Sequence, residues 1–240
     1  VVWNDDRGSG AGTNIFFNYS LDGGATWAAS DTILDTADTT GDDNSLYAEI
    51  ACWENRVYVT WEDRRSDADV YFNNSADAGA SWDGEQRIDT DTGSILSEKP
   101  RIACAGDQNV YVIWDDSRNG SDDVFIQIST DGGVTWPGSD LRVDMGGGLE
   151  ASTHARVSAW ADNVFVVWND TREESREQVY LNYSDDAGVS WLAADANINT
   201  NTGTADSDMP EMSAFGNNAC IIWIDSRLPS KDRIYANNYR

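Results

Sequence analysis

The chain has 240 residues, and its 42 acidic against 16 basic side chains give a net charge of −26 at neutral pH. With Lys99 and Lys231 as the only lysines, it lacks the clustered cations that a nucleic-acid groove or an anionic-lipid surface requires, which excludes nucleic acid as a partner. Hydrophobic residues at 40%, with 11 Trp, 9 Tyr and 6 Phe, suffice for a core, while no apolar run approaches the roughly 18 residues of a membrane insertion.

Taken from the N-terminus, the sequence repeats one unit about every 54 residues. The first unit, about 1–35, opens in a strand ending in Trp3-x-Asp5-x-Arg7 and runs on to Ser20-Leu21-Asp22-Gly23-Gly24-Ala25-Thr26-Trp27. The second, about 36–90, carries Trp61/Asp63/Arg65 and the matching eight residues Ser75 to Trp82. The third, about 91–144, shows the whole plan. Arg101-Ile102-Ala103-Cys104-Ala105 is a short apolar run stopped by Gly106-Asp107. Val110 to Trp114 is β-branched and aromatic and turns at Asp116/Arg118; Val124 to Ile128 then leads into the box Ser129 to Trp136. Trp136 to Val143 supplies a weaker fourth strand. The fourth unit, about 145–198, has Trp168/Asp170/Arg172 and the box Ser184 to Trp191. The fifth, about 199–240, has Trp223/Asp225/Arg227 and ends on Tyr235 to Arg240, where a fifth box is due.

The box starts lie 55, 54 and 55 residues apart, and no stretch keeps a helical period. The sequence therefore predicts an all-β single domain over 1–240. Its expected form is a β-propeller of four-stranded antiparallel blades, about five units with the first and last incomplete. Val1, in place of Met, suggests a processed or partial chain. A five-bladed ring lacks one strand at each end; four blades with an overhang, or part of a six-bladed ring, fit the same count. The unpaired edges are expected to favour self-association.

Each Ser-x-Asp-x-Gly-x-Thr/Ser-Trp box fits the turn between a blade's third and fourth strands. Asp22, Asp77, Asp131 and Asp186 can accept hydrogen bonds from their own turn. Gly24, Gly79, Gly133 and Gly188 supply the positive φ of a tight hairpin. Ser20, Ser75, Ser129 and Ser184 tie the loop ends, and Trp27, Trp82, Trp136 and Trp191 are expected to plug the space between sheets. These sixteen residues are assigned to structure and none to catalysis.

The four boxes resemble the Asp-box, or BNR, repeats of sialidases and of secreted bacterial and archaeal sialidase-like proteins. The whole unit, Val110 to Arg118 into Ser129 to Trp136, is similar to those secreted proteins along the full chain. The resemblance implies an extracellular or cell-surface propeller. The favoured role is non-catalytic, in carbohydrate or protein binding, adhesion or extracellular assembly; the alternative is a sialidase-like exo-glycosidase. That family clamps a substrate carboxylate with three arginines and uses a Tyr/Glu pair with an Asp acid/base. Here Lys99-Pro100-Arg101-Ile102 is the nearest approach to its Arg-Ile-Pro signature, and no Tyr/Glu pair stands out.

In a four-stranded blade the boxes share one face of the disc, and the Trp-x-Asp-x-Arg segments run onto the other. The linkers at 35–44, 89–93, 144–150 and 199–208 join them there. A ligand is expected on that second face. Arg7, Arg65, Arg118, Arg172 and Arg227 are candidate contacts for it, set against an Arg–Asp network at the blade ends. No cofactor is required; calcium is the cation that Asp89-x-Asp91-x-Gly93 would take. Five sequons at Asn18, Asn73, Asn119, Asn169 and Asn182 are compatible with glycosylation. His154, the only histidine, gives neither a zinc site nor a triad. Cys52, Cys104 and Cys220 read as buried free thiols.

Overall fold

A computed structural model describes residues 1–7, 12–36, 44–146, 150–173, 176–199, 206–228 and 231–239. Parts of the linkers, 37–43, 147–149 and 200–205, lie outside the described residues. The described residues contain strands and no helix, gathered into five antiparallel sheets in chain order.

The first sheet holds β1 (Val2–Asp5), β2 (Asn14–Phe17) and β3 (Thr32–Ile33). The second holds β4 (Ser45–Trp53), β5 (Arg56–Asp63), β6 (Asp69–Ser75) and β7 (Gln86–Arg87). The third holds β8 (Ser97–Ala105), β9 (Asn109–Asp116), β10 (Asp123–Ser129) and β11 (Leu141–Arg142). The fourth holds β12 (Ser152–Trp160), β13 (Asn163–Glu173), β14 (Arg176–Ser184) and β15 (Ala196–Asn197). The fifth holds β16 (Ser207–Phe215), β17 (Asn218–Leu228) and β18 (Lys231–Tyr239). Each sheet is a meander, so its first-to-last strand order is the chain order. The fourth strand of each complete blade is only two residues long, because the box and its Trp occupy the rest of that segment.

The blades stack face to face. β4, β8, β12 and β16 lie side by side as the innermost strands, and β1 packs against β4. Between sheets one and two, Ile15, Phe17 and Leu34 meet Val57, Val59 and Trp61. Between sheets four and five, the corresponding residues Phe165, Val167, Val179, Leu181 and Ile198 meet Ala219, Ile221 and Trp223. This stacking explains why β9 is buried on both faces from Val110 to Asp116, although its residues do not alternate in polarity.

Each box is held by the same bonds. In the third, the Asp131 carboxylate accepts from the Thr135 amide at 2.9 Å and the Thr135 hydroxyl at 2.6 Å, and Ser129 Oγ accepts from the Gly133 amide at 2.9 Å. Thr135 and Ser129 hold the Asp131 carboxyl down at about 2, and Asp22 and Asp186 are depressed to the same value by the same contacts. Ala78, Gly132 and Ala187 of three boxes donate to the carbonyls of Asn55, Gln108 and Asp162. Boxes and first-to-second-strand hairpins therefore share one face.

The box Trp plugs toward the preceding blade. Trp82 meets Phe17 edge-on at 4.9 Å, and Trp136 meets Phe72 in the same way at 4.9 Å. Trp191 packs on the cluster that holds Tyr111 and Ile128. Trp27 departs from the pattern and is 50% exposed, because no described sheet precedes its own.

The cysteine expectation needs correction: Cys52 and Cys220 are exposed and Cys104 is partly buried. Cys52 and Cys104 sit on innermost strands, which border the central channel on one side, and Cys220 faces outward from the fifth sheet.

Candidate functional site

On the face away from the boxes, each Trp-x-Asp-x-Arg segment folds onto itself. In the third blade Trp114 Nε1 donates to Asp116 at 2.8 Å, and Arg118 donates to the same carboxylate from its backbone amide at 2.9 Å and from Nε at 2.7 Å. Arg118 also reaches Asp140 at 2.6 Å and lies over the Phe125 ring at 4.1 Å. Arg7, Arg65 and Arg172 repeat the arrangement with Asp31, Glu85 and Asp195 as second carboxylates, and Arg227 repeats it on Asp225 and Tyr235. The five arginines expected to face a ligand are thus each bonded within their own blade. A guanidinium committed to one or two carboxylates and an aromatic face has little left for a ligand.

The sequons are corrected as well. Asn73, Asn169 and Asn182 are buried, and Asn182 Nδ2 donates to the Val143 carbonyl and Asp195. Asn18 Nδ2 donates to Asp31 at 2.6 Å. An amide enclosed and bonded in this way cannot carry a glycan on the folded protein. Asn119 alone among the five is exposed.

Asp89 and Asp91 come together with Asp69, close enough to share an ion. The Arg87 guanidinium already contacts all three, at 2.9 Å to Asp69, 2.6 Å to Asp89 and closer still to Asp91. The equivalent set in the third blade is Asp123 and Asp144 around Arg142. In the fourth blade neutral Gln178 and Asn199 bond to each other at 2.7 Å, and Asn197 replaces the arginine. Carboxylates therefore occur with the arginine and amides without it. Asp35 is the exception. Ile33 stands at its arginine position, neither carboxylate oxygen has a well-formed hydrogen bond, and burial pushes its carboxyl up to about 6.

What breaks the repeat lies on the innermost strands. Each has a register shift near its start, between Leu46 and Glu49, Glu98 and Arg101, Thr153 and Arg156, and Asp208 and Glu211. The bulged residues Tyr47, Lys99, His154 and Met209 all have φ between 51° and 55°. A non-glycine residue held in the left-handed region costs about 1 kcal/mol, and at Lys99 and His154 the preceding blade bonds the amide. Glu62 Oε2 accepts from the Lys99 amide at 3.0 Å, and Asp115 Oδ2 accepts from the His154 amide at 3.3 Å. Two positions on, Glu49, Arg101, Arg156 and Glu211 line a cavity of about 210 Å³ between the innermost strands. Arg101 lies 3.5 Å from Glu49, and Arg156 lies 2.9 Å from Glu211. Burial, then the Arg156 guanidinium beside it, pulls the Arg101 pKa below the usual arginine value.

Beside this channel, Asn169 Nδ2 donates to Asp208 and to Glu177, and His154 Nδ1 lies 4.0 Å from Asp208. Burial, then the nearby Asp208 and Asp206 carboxylates, raises the Glu177 pKa. Sequence reasoning missed this mouth. Aligning the segments that start at Ser45, Ser97, Ser152 and Ser207 exposes it: the third position reads Tyr, Lys, His, Met and the fifth Glu, Arg, Arg, Glu.

No protein-family model and no curated protein matches the sequence. Among solved structures, the α-L-arabinanase of Penicillium chrysogenum, complexed with arabinobiose, is similar at TM-score 0.58 and 15% identity, covering 81% of this chain and 62% of that one. A protein of unknown function from Dyadobacter fermentans gives TM-score 0.60 and 14% identity, over 95% of this chain and 63% of that one. The NanB sialidase of Streptococcus pneumoniae gives 0.53 and 12%, over 88% and 32%. The chain spans less than two thirds of these structures. At such identities the likeness defines the fold, a β-propeller shared with glycoside hydrolases.

Proposed function

We propose that this chain is a non-catalytic, carbohydrate-binding propeller that works outside the cell or at its surface and takes its ligand at the channel mouth. One observation carries the reading: the blades keep their boxes and clamps but diverge at the third and fifth positions of the innermost strands. Repeat positions that serve only stacking have reason to stay alike; a ligand gives these positions reason to differ.

The chemistry suits a saccharide. Lys99, Arg101 and Arg156 donate, Glu49 and Glu211 accept, and Tyr47 is 44% exposed, offering a ring to stack against a sugar. The arabinobiose complex of the arabinanase supports a sugar as the ligand class. The extracellular setting follows the resemblance to secreted Asp-box proteins.

The carboxylates at the mouth favour binding over hydrolysis. Glu62 and Asp115 are buried and engaged by backbone amides. Glu177 and Asp208 both accept from the Asn169 amide, which commits them to a structural contact. Purified protein tested on chromogenic glycosides, arabinofuranosides and a sialoside included, is expected to give no turnover. The same protein on a glycan array is expected to retain an oligosaccharide. Clear turnover of any glycoside overturns the non-catalytic reading, and an empty array overturns the binding one.

A further inference from the structure

The residue that follows the tryptophan of each clamp segment reads Asn4, Glu62, Asp115, Asn169 and Ile224 along the chain. In the second and third blades it is a buried carboxylate with a cation beside it, Arg64 at 2.6 Å from Glu62 and Lys99 at 3.5 Å from Asp115. Each of these carboxylates also accepts the amide of the bulged residue in the next blade. The fourth blade departs from this plan. Asn169 is neutral, and the bulged Met209 gives its amide to Asp208 at 2.5 Å instead. Asn169 is only 1% exposed, and its Oδ1 has no hydrogen-bond partner.

Carboxylates from two neighbouring strands surround this asparagine. Its Nδ2 lies against Asp208 of β16 and 3.4 Å from Glu177 of β14. Burial, then Asp208 and Asp206, raises the Glu177 pKa, which marks negative charge that a neutral amide does not cancel. The Asp208 side chain is 28% exposed and His154 Nδ1 stands 4.0 Å from it, so the seat opens to solvent beside the channel. Turning the Asn169 amide about its last bond exchanges Nδ2 for Oδ1 at that seat. Two carboxylates and an amide oxygen, three acceptors in all, then surround one place.

We infer that the channel mouth takes a saccharide bearing a primary ammonium group, an amino sugar, with that group seated between Glu177, Asp208 and the Asn169 oxygen. The inference rests on the binding reading above and names its ligand class. An ammonium has three N–H donors for the three acceptors, and its bonds to the carboxylates are charge-assisted. It supplies the positive charge that Arg64 and Lys99 give within the preceding blades. The sugar ring then reaches Arg156 and Glu211, which stand past the bulges on the same two strands as His154 and Asp208. A chain of net charge −26 also draws a cationic sugar toward its surface and repels an acidic one.

Calorimetry on the 240-residue chain with a glucosamine trimer and its N-acetylated counterpart, at a pH below the pKa of the amine, tests the inference. Acetylation removes the charge and leaves one N–H donor on each nitrogen. The wild type is expected to bind the glucosamine trimer at least tenfold more tightly than the acetylated one. Glu177→Gln and Asp208→Asn should each bring the two trimers to parity. Asp107→Asn, which neutralises an exposed acid on the box face, should leave the preference intact. Thermal melts confirm that the variants fold, and the wild-type comparison needs no variant. Equal affinity for the two trimers, tighter binding of the acetylated one, or no binding of either would overturn the inference. A preference that Asp107→Asn weakens as much as Glu177→Gln would do the same, because the attraction would then belong to the net charge. Neutral glycans held without preference for the amine defeat the ammonium seat alone, whereas a glycan array that retains no saccharide defeats the binding reading with it.

Discussion

A methyl group on Gly79 would lie 2.3 Å from Cε1 of Phe17, a residue of the neighbouring blade. The box glycine thus answers to two constraints. Its own turn requires φ of +89°, and the adjacent ring requires the absence of a side chain. Gly133 stands in the same relation to Phe72 at 2.5 Å, and Gly188 to Ile128 at 2.3 Å. Gly24 shares the backbone angle, at +91°, and a methyl group there would meet only its own Trp27 ring, at 4.0 Å.

The two constraints separate by substitution. Gly24→Ala is expected to cost about 1 kcal/mol, the strain of the left-handed backbone alone. Gly79→Ala is expected to cost about 3 kcal/mol, because overpacking against Phe17 adds to that strain. Denaturant unfolding of both variants measures the difference. Equal losses would show that Phe17 yields and that only the turn matters.

Much of this was legible in the sequence. The boxes at 54- to 55-residue spacing and the β-branched runs such as Val110 to Trp114 specify four-stranded blades, since turn chemistry and a strand period are local properties. The blade-to-blade role of the box glycine was not legible, because Phe17 and Gly79 are 62 residues apart in sequence and meet only through stacking. The bonding of the repeated arginines was not legible for a related reason. Their regularity drew notice, but their commitment to Asp31, Glu85, Asp140 and Asp195 arises only when the blade folds. The sequons illustrate the same point: Asn18, Asn73 and Asn182 share one blade position, and the amides of Asn73 and Asn182 bond both within the blade and to the blade before.

Asp35 makes stability depend on pH in an unusual direction. Burial pushes its carboxyl up to about 6, with Ser45 and backbone amides offsetting part of the effect and Asp63 adding to it. A folded pKa above the unfolded value means that the native state holds the proton more tightly. The group's contribution is therefore complete below about pH 4 and is lost as pH rises through about 6. Asp144, also raised to about 6 by burial, acts in the same sense. Replacing Asp35 by the amide found at Asn199 removes the penalty. Asp35→Asn is expected to stabilise by about 1–2 kcal/mol at pH 7 and by little at pH 4. Thermal melts at the two values check this, and a gain independent of pH would rule out the buried charge as its source.

Arg87 competes with any calcium ion at Asp69, Asp89 and Asp91. A guanidinium in contact with all three carboxylates occupies the place a divalent ion would need. Neither chelator nor added calcium is expected to move the Tm of the wild type. In Arg87→Gln the three carboxylates lose their counter-charge, so the variant should be destabilised and calcium should restore part of its Tm. A calcium-dependent Tm in the wild type would show that the ion displaces or joins the arginine.

Arg156 offers the sharpest test of the channel mouth. Its partner Glu211 is more than half exposed, so the ion pair between them contributes little to folding, about 0–1 kcal/mol. A ligand that accepts a hydrogen bond from the same guanidinium would gain more, since charge-assisted bonds in a partly enclosed site contribute about 1.5–3 kcal/mol. Arg156→Gln should therefore leave the Tm nearly unchanged and weaken saccharide binding at least tenfold, measured by calorimetry with an oligosaccharide the array identifies. Arg118→Gln should behave in the opposite way, lowering the Tm through loss of its bonds to Asp116 and Asp140 while the mouth keeps its affinity. If Arg118→Gln abolished binding and Arg156→Gln did not, the ligand would sit at the blade-end clamps and not at the channel.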